Sequence, residues 1–369
     1  MRIVIATVVH HPEDARIFHR QIPALLQAGH EVVYVAPETE RDLSRPGLVH
    51  VPVPRSIGRR RFVPLRRMAS VLSRETRVAD LAIVHDPELT LMGRWIRCPR
   101  VWDVHEDLAS QIADKEWIPG FLGGPARLGV GLLERWAARS FDVMLAEPTY
   151  VDRFPHGVVV RNTPWIQDRY VTPGDSRVVY VGRVSLGRGI ETMLAAMRMI
   201  GPKVGLDLYG SADRNVVEML DRAGSNVVVH GFVPNPSALS QAEGAMAGLA
   251  LLDDRPDYRR SIPTKVLEYM SRGIPVVTTP NPVASRIVEE SAAGIVVPYR
   301  DPEAVAEAVV RLRDPVVREE MGRNGRQAVR ACYDWTEDAG RMLGFVDEVV
   351  SKVSAGGWCR GPGRKQASR

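Results

Sequence analysis

Short, unbroken runs of Val, Ile and Leu recur along this chain, separated by longer stretches with helical periodicity. A strand buried on both faces shows no polar alternation, so such runs point to parallel strands. In the first half they fall at residues 2–8, 31–36, 81–85, 100–104 and 142–146. In the second they fall at 177–181, 204–209, 226–230, 247–252, 274–278 and 295–297. Between them, Ile17, Phe18, Ile22, Leu25 and Leu26 share one helical face that Gly29 closes, and Val305, Val309 and Leu312 repeat the pattern. This βαβ alternation predicts an α/β chain of doubly wound parallel sheets. It occurs twice. Turn-rich Asn162-Thr163-Pro164 and Thr172-Pro173-Gly174-Asp175 separate the two sets. The reading is two Rossmann-like domains at 1–165 and 166–335, a closing helix at 336–352 and a disordered basic tail at 353–369. Ligands of such sheets bind outside the carboxyl ends of the strands, here facing a cleft between the domains.

Much chemistry is excluded at once. Cys98, Cys332 and Cys359 form no close pair, so no disulfide framework or cysteine zinc site is expected, and a reducing, cytoplasmic setting fits. No apolar run reaches the ~18 residues of a membrane span, and the N-terminal apolar run reads as a strand rather than a leader. The loop after the first strand, His10-His11-Pro12-Glu13-Asp14, has no glycine, and no G-K-[ST] occurs, which argues against dinucleotide and P-loop chemistry. The histidines show no metal spacing, so no metal and no cofactor is expected. A net charge of +5 over 369 residues is weak support for nucleic acid, and none is expected as a partner. Only Lys115, Lys203, Lys265, Lys352 and Lys365 are lysines among 49 basic residues. Genome bias accounts for most of the arginines; a few suit phosphate or carboxylate through their planar fork.

The strand at 177–181 runs through Gly182-Arg183-Val184-Ser185-Leu186-Gly187-Arg188-Gly189 into a helix. Arg183 and Arg188 would flank its N-terminus, a cationic cradle suited to a diphosphate, or be solvated surface arginines. In Ser261-Ile262-Pro263-Thr264-Lys265-Val266-Leu267-Glu268-Tyr269-Met270, Pro263 suits a first helical turn, Ser261 its cap, and Gly273 its end. Glu268, among apolar neighbours, needs a partner: the paired hydroxyls of a ribose, or an arginine. In the first half, His85-Asp86 and Asp103-Val104-His105-Glu106 stand at the carboxyl ends of strands.

In order and spacing, these pieces resemble the retaining GT-B glycosyltransferases of family 4, the glycosyltransferase group 1 family. The resemblance spans roughly 1–350. It is carried by His11-Pro12-Glu13-Asp14-Ala15-Arg16-Ile17, His85-Asp86-Pro87-Glu88-Leu89, Asp103-Val104-His105-Glu106-Asp107, Gly182-Arg183 with Arg188-Gly189, Pro263-Thr264-Lys265 with Glu268, and Met321-Gly322-Arg323-Asn324-Gly325-Arg326. It implies that Arg183 and Arg188 bind the donor diphosphate and Glu268 the ribose. Ile262, Pro263, Thr264 and Lys265 would meet phosphate and sugar, and Gly231, Phe232 and Val233 the base. His105 would face the transferred sugar, while Asp14 and Arg16 line the first-domain side. It implies a nucleotide-sugar donor, retention at the anomeric carbon and no metal.

The chain departs from the family in places. A glutamate common eight residues before the ribose glutamate is here Arg260, with Asp254, Asp257 and Tyr258 nearby as substitutes. That departure keeps open a catalytically silent sugar-nucleotide-binding protein; a non-hydrolysing epimerase is a second alternative. Residues Arg55, Arg59, Arg60, Arg61, Arg66 and Arg67 crowd one segment with apolar neighbours. It would suit anionic lipid, an acidic acceptor or plain solvent, and a lipid contact would place the protein peripherally at a membrane.

Overall fold

The computed structural model describes residues 1–56, 63–105 and 123–356, without the side chains of 63, 64, 123–128, 257 and 353–356. Two sheets organise it, and every strand pairing in both is parallel. The first holds β1 (Arg2–Ala6), β2 (Glu31–Pro37), β3 (Leu48–Val53), β4 (Leu81–Val84), β5 (Arg100–Val104), β6 (Asp142–Leu145) and β7 (Val158–Val159), in the order β3-β2-β1-β4-β5-β6-β7. The second holds β8 (Arg177–Val181), β9 (Gly205–Tyr209), β10 (Val227–Gly231), β11 (Ala247–Ala250), β12 (Val276–Thr278) and β13 (Gly294–Val296), in the order β10-β9-β8-β11-β12-β13. The winding reverses beside β1 in one sheet and β8 in the other, the points where ligands of such sheets sit.

The unbroken apolar runs have a simple cause. Ile3 and Ile5 enter one core layer and Val4 and Ala6 the opposite one; Val178 and Tyr180 face one layer of the second sheet, Val179 and Val181 the other. With both faces buried, neither parity of position is polar. Two strands lack that signature, β3 and β7. Both are edge strands, and β3 carries Pro52, which an edge tolerates because it need not donate on its outer side.

Four helices matter for the site. A π turn, Ile17–Gln21, leads into α1 (Ile22–Gln27), which ends as Gly29 predicts. Gly29 takes φ +78°, with His30 N–H donating to the Leu25 carbonyl and Gly29 N–H to that of Leu26, a Schellman closure. α2 (Ile190–Ile200) follows β8, and α3 (Thr264–Ser271) precedes β12 and closes the same way at Gly273. The last helix, α4 (Trp335–Gly356), runs into the stretch read as tail. Its Trp335, Met342, Phe345, Val346 and Val349 pack among Ile3, Ile5, Ile17 and Leu25 of the first sheet's layer. Fully buried Asp338 accepts from Thr163 Oγ1 at 2.8 Å and pairs with Arg161 at 3.1 Å, tying α4 to the connection between the sheets.

Trp335 is 0% exposed, so Trp335→Ala leaves a large cavity beside β1. We expect a loss of about 3–5 kcal/mol in stability, read as a lowered thermal transition. An unchanged transition would show that α4 does not anchor the first sheet.

Candidate functional site

At the carboxyl end of the first sheet, one carboxylate gathers its neighbours. Asp103 closes β5 and has no exposed surface. Arg16 grips it with Nε and Nη2, each at 2.8 Å, and Gln21 donates at 2.7 Å. His85 Nδ1 lies 3.2 Å from Asp103 Oδ2 and His105 Nδ1 3.7 Å, the latter a charge contact longer than a hydrogen bond. His105 Nε2 meets His10 Nε2 at 2.9 Å, so one of the two rings carries the shared proton. His10 Nε2 also lies 3.3 Å from Asp86 Oδ1. The other Asp86 oxygen accepts from Thr7 Oγ1 at 3.0 Å and from the Val8 amide, so Asp86 braces the loop leaving β1. Asp14 accepts the amides of Arg16 at 2.8 Å and Ile17 at 3.0 Å, and so starts the π turn that presents Arg16.

Burial alone would raise the Asp103 pKa; the Arg16 charge and the His105 and His85 contacts overcome it and hold the carboxyl well below its usual range. Burial lowers His85. It also acts on His105, but Asp103 outweighs it and raises that imidazole. His85, Asp103 and His105 lie close enough to hold a metal ion. With Arg16 already engaging both Asp103 oxygens, a divalent cation there would meet a fixed positive charge.

The second sheet presents the opposite sign. Gly182, at φ +139°, follows β8, and a side chain there would meet Arg188 Nη1 at 3.4 Å, the Tyr180 hydroxyl at 3.5 Å and Lys265 Cε at 3.6 Å. Arg188 and Lys265 thus converge over one stretch of backbone. Burial would lower the Arg188 pKa; the nearby Tyr180 and Tyr258 hydroxyls outweigh it and raise that guanidinium. Burial and the Arg188 charge bring the Lys265 ammonium down to about 7. No side chain caps the helix start at Gly189–Ile190 or at Pro263–Thr264. Pro263 occupies the cap position itself, and Ser261 does not cap. Arg183 turns elsewhere: it is two-thirds exposed and bonds Asp213 at 2.6 Å. Asp254 pairs with Arg259, Arg260 is exposed, and Glu106 lies outside the described residues, as do residues 57–62 of the basic segment.

Three contacts join the two sides. Arg20 Nη2 bonds Glu268 Oε1 at 2.6 Å, both groups buried. Glu147, just past β6, accepts the Ile262 amide on both oxygens at 3.0 Å. The His11 ring packs on Phe232 with centroids 4.4 Å apart. His10, Arg20, Gln21 and Glu147 escape a motif-based reading. Arg20 lies one helical turn beyond Arg16, and Glu147 follows a strand end as His85 does; those signals would have found these two.

With this geometry in hand, comparison with known proteins is informative. Residues 175–314 match the family model of the glycosyl transferases group 1. Alpha-D-kanosaminyltransferase of Streptomyces kanamyceticus is 27% identical over 197 residues, covering 50% of this chain and 48% of that protein. The match therefore spans about half the length of that curated relative. Among solved structures, sucrose-phosphate synthase of Thermosynechococcus elongatus superposes with a TM-score of 0.70 at 19% identity, over 95% of this chain and 99% of that one. HepE of Anabaena, solved with UDP and glucose, gives 0.71 at 14%, over 94% and 99%. The chain has the GT-B fold. The resemblance to group 1 glycosyltransferases, read from scattered motifs, is borne out. Among the described residues of this GT-B chain, no helix is long and apolar enough to cross a membrane.

Glu147 supplies a pH signature. Burial lifts its carboxyl to about 7, the Ile262 amide and Arg16 opposing it. The folded chain then holds a proton between pH ~4.5 and ~7 that the unfolded chain has released, so this group's contribution to stability falls by about 3 kcal/mol across that window and is level above it. Glu147→Gln removes the decline. The variant's melting temperature, relative to the parent, should be higher at pH 8 than at pH 5; an equal offset at both would show that Glu147 ionises normally.

Proposed function

We propose that the protein is a retaining, metal-independent glycosyltransferase that moves a sugar from a UDP- or GDP-linked donor to a hydroxyl acceptor. The observation that carries this reading is the meeting of Arg188 and Lys265 over Gly182, beside two helix starts without side-chain caps. Two cations beside helix starts with free amide donors suit a diphosphate. The named activities of the relatives and the UDP held by HepE support it.

The chemistry follows from where charge develops. As the glycosidic bond to phosphate lengthens, negative charge grows on the departing diphosphate. Arg188, protonated Lys265 and the starts of α2 and α3 would stabilise it without reorganising. Glu268 would hold the ribose hydroxyls, with Gly231, Phe232 and Val233 toward the base. His105, beside Asp103, would face the sugar. The acceptor proton would pass to the leaving phosphate oxygen on the same face, which retains configuration. Approach of the two domains would exclude water and limit hydrolysis. For the acceptor we favour an anionic or lipid-linked molecule. Arg66, Arg74 and Arg77 share a surface groove with Trp95, next to the basic segment at 55–67, and this would suit peripheral contact with an anionic membrane.

Incubation with radiolabelled UDP- and GDP-sugars and candidate acceptors tests the activity. Nucleotide binding with neither transfer nor donor hydrolysis would leave a silent binding protein. For the donor site, Arg188→Ala and Glu268→Ala should each weaken nucleotide binding at least tenfold by calorimetry; unchanged affinity in both sinks the assignment. Lys265 adds a pH test. A bound diphosphate favours its charged form, so binding takes up a proton above pH ~7 and affinity falls as pH rises from 7 to 9. In Lys265→Met that slope should vanish, and a slope that persists would place the diphosphate elsewhere.

A further inference from the structure

We infer that Arg20 is a positioning residue for the nucleotide carboxylate, and that it couples Glu268 to the connection between the two sheets. This rests on the donor-site reading above. Arg20 sits in the π turn Ile17–Gln21 and is 3% exposed. Its Nη2 donates to Glu268 Oε1 at 2.6 Å, and its Nη1 to Asn162 Oδ1 at 2.5 Å. One planar guanidinium thus joins the first domain's turn, the segment between β7 and β8, and helix α3 of the second domain. A lysine presents a single point charge and would not span both partners in that fixed fork.

The bonding on Glu268 decides the sense of the effect. Arg20 and Asn235, the latter at 3.2 Å, both donate to Oε1. Among the described residues no hydrogen bond is made to Oε2, and it is not among the buried oxygens lacking a partner. One oxygen is anchored while the other stays available for ribose hydroxyls. Without Arg20, a carboxylate 4% exposed would lose its short charged hydrogen bond and turn toward its remaining partners. Arg20 therefore assists the nucleotide by keeping Glu268 aimed. Because the pair crosses between domains, Glu268 reaches this anchored state only when the domains lie this close. Nucleotide binding and domain approach then share one interaction and reinforce each other.

A double-mutant cycle on the full chain tests this, with UDP and GDP affinities measured by calorimetry for the parent, Arg20→Met, Glu268→Ala and the double variant. Arg20→Met should weaken binding at least tenfold in the parent and less than twofold in the Glu268→Ala background. A purely architectural role would not make the loss depend on Glu268. Equal losses in both backgrounds, or no loss in the parent, overturn the inference. If Arg20→Met does not fold, Arg20→Lys replaces it in the same cycle, with at least a threefold loss expected in the parent background alone. A parent protein that binds neither nucleotide overturns the donor-site reading itself, whereas a parent that binds but shows no coupling overturns only the role of Arg20.

Discussion

Asp103 is an ionised group with no contact with solvent, and the carboxyl edge of the first sheet is built around that charge. A buried carboxylate is tolerated only when its lone pairs are taken and its charge is met. Arg16 does both through a bidentate grip, Gln21 adds a donor, and His85 and His105 stand at its side. The demand propagates outward. Asp14 is needed to start the turn that presents Arg16, and Asp86 braces the loop leading to it. Against burial, the Asp103 charge raises His105, which shares a hydrogen bond with His10.

The two halves of the cleft differ in how charge is balanced. On the first side Asp103 and Asp86 find their partners within the same domain, whereas Glu147 takes the Ile262 amide of the second. On the second, Arg188 lies beside Lys265 and the Tyr180 and Tyr258 hydroxyls; burial and the Arg188 charge depress the lysine, with Glu268 opposing them. The cost of that arrangement falls on Lys265, since the tyrosines raise Arg188. Glu268 shows the converse: the cation that hydrogen-bonds it comes from the opposite domain, so its environment depends on how the domains sit. Arginine usage divides accordingly. Arg318 and Arg326 spend their donors on carbonyls of Pro173, Gln167 and Asp168, so these arginines are architecture at the connection between the sheets.

Much of the fold was legible in the residues. Eleven apolar runs correspond to eleven of the thirteen strands, because burial on both faces leaves an unbroken signature. The edge strands β3 and β7 escaped because an edge neither needs that signature nor excludes Pro52. Gly29 and Gly273 announced helix ends through a backbone conformation other residues avoid. The site was legible only in part. Arg188, Lys265 and Glu268 could be placed at helix starts by local pattern, but the direction of a long side chain could not. Arg183 occupies an equivalent place in the motif and pairs with Asp213 instead.

The sequence by itself determined the two parallel sheets and the helix starts beside them, because each rests on local periodicity or spacing, and it carried the resemblance to group 1 glycosyltransferases in the order of short local motifs. Tertiary structure alone decided which charges meet. Arg20 lies 248 positions from Glu268, and Glu147 lies 115 from Ile262. No local pattern encodes those pairings, since they arise only when two separately wound sheets bring their carboxyl edges together and each buried charge takes the partner that geometry leaves within reach.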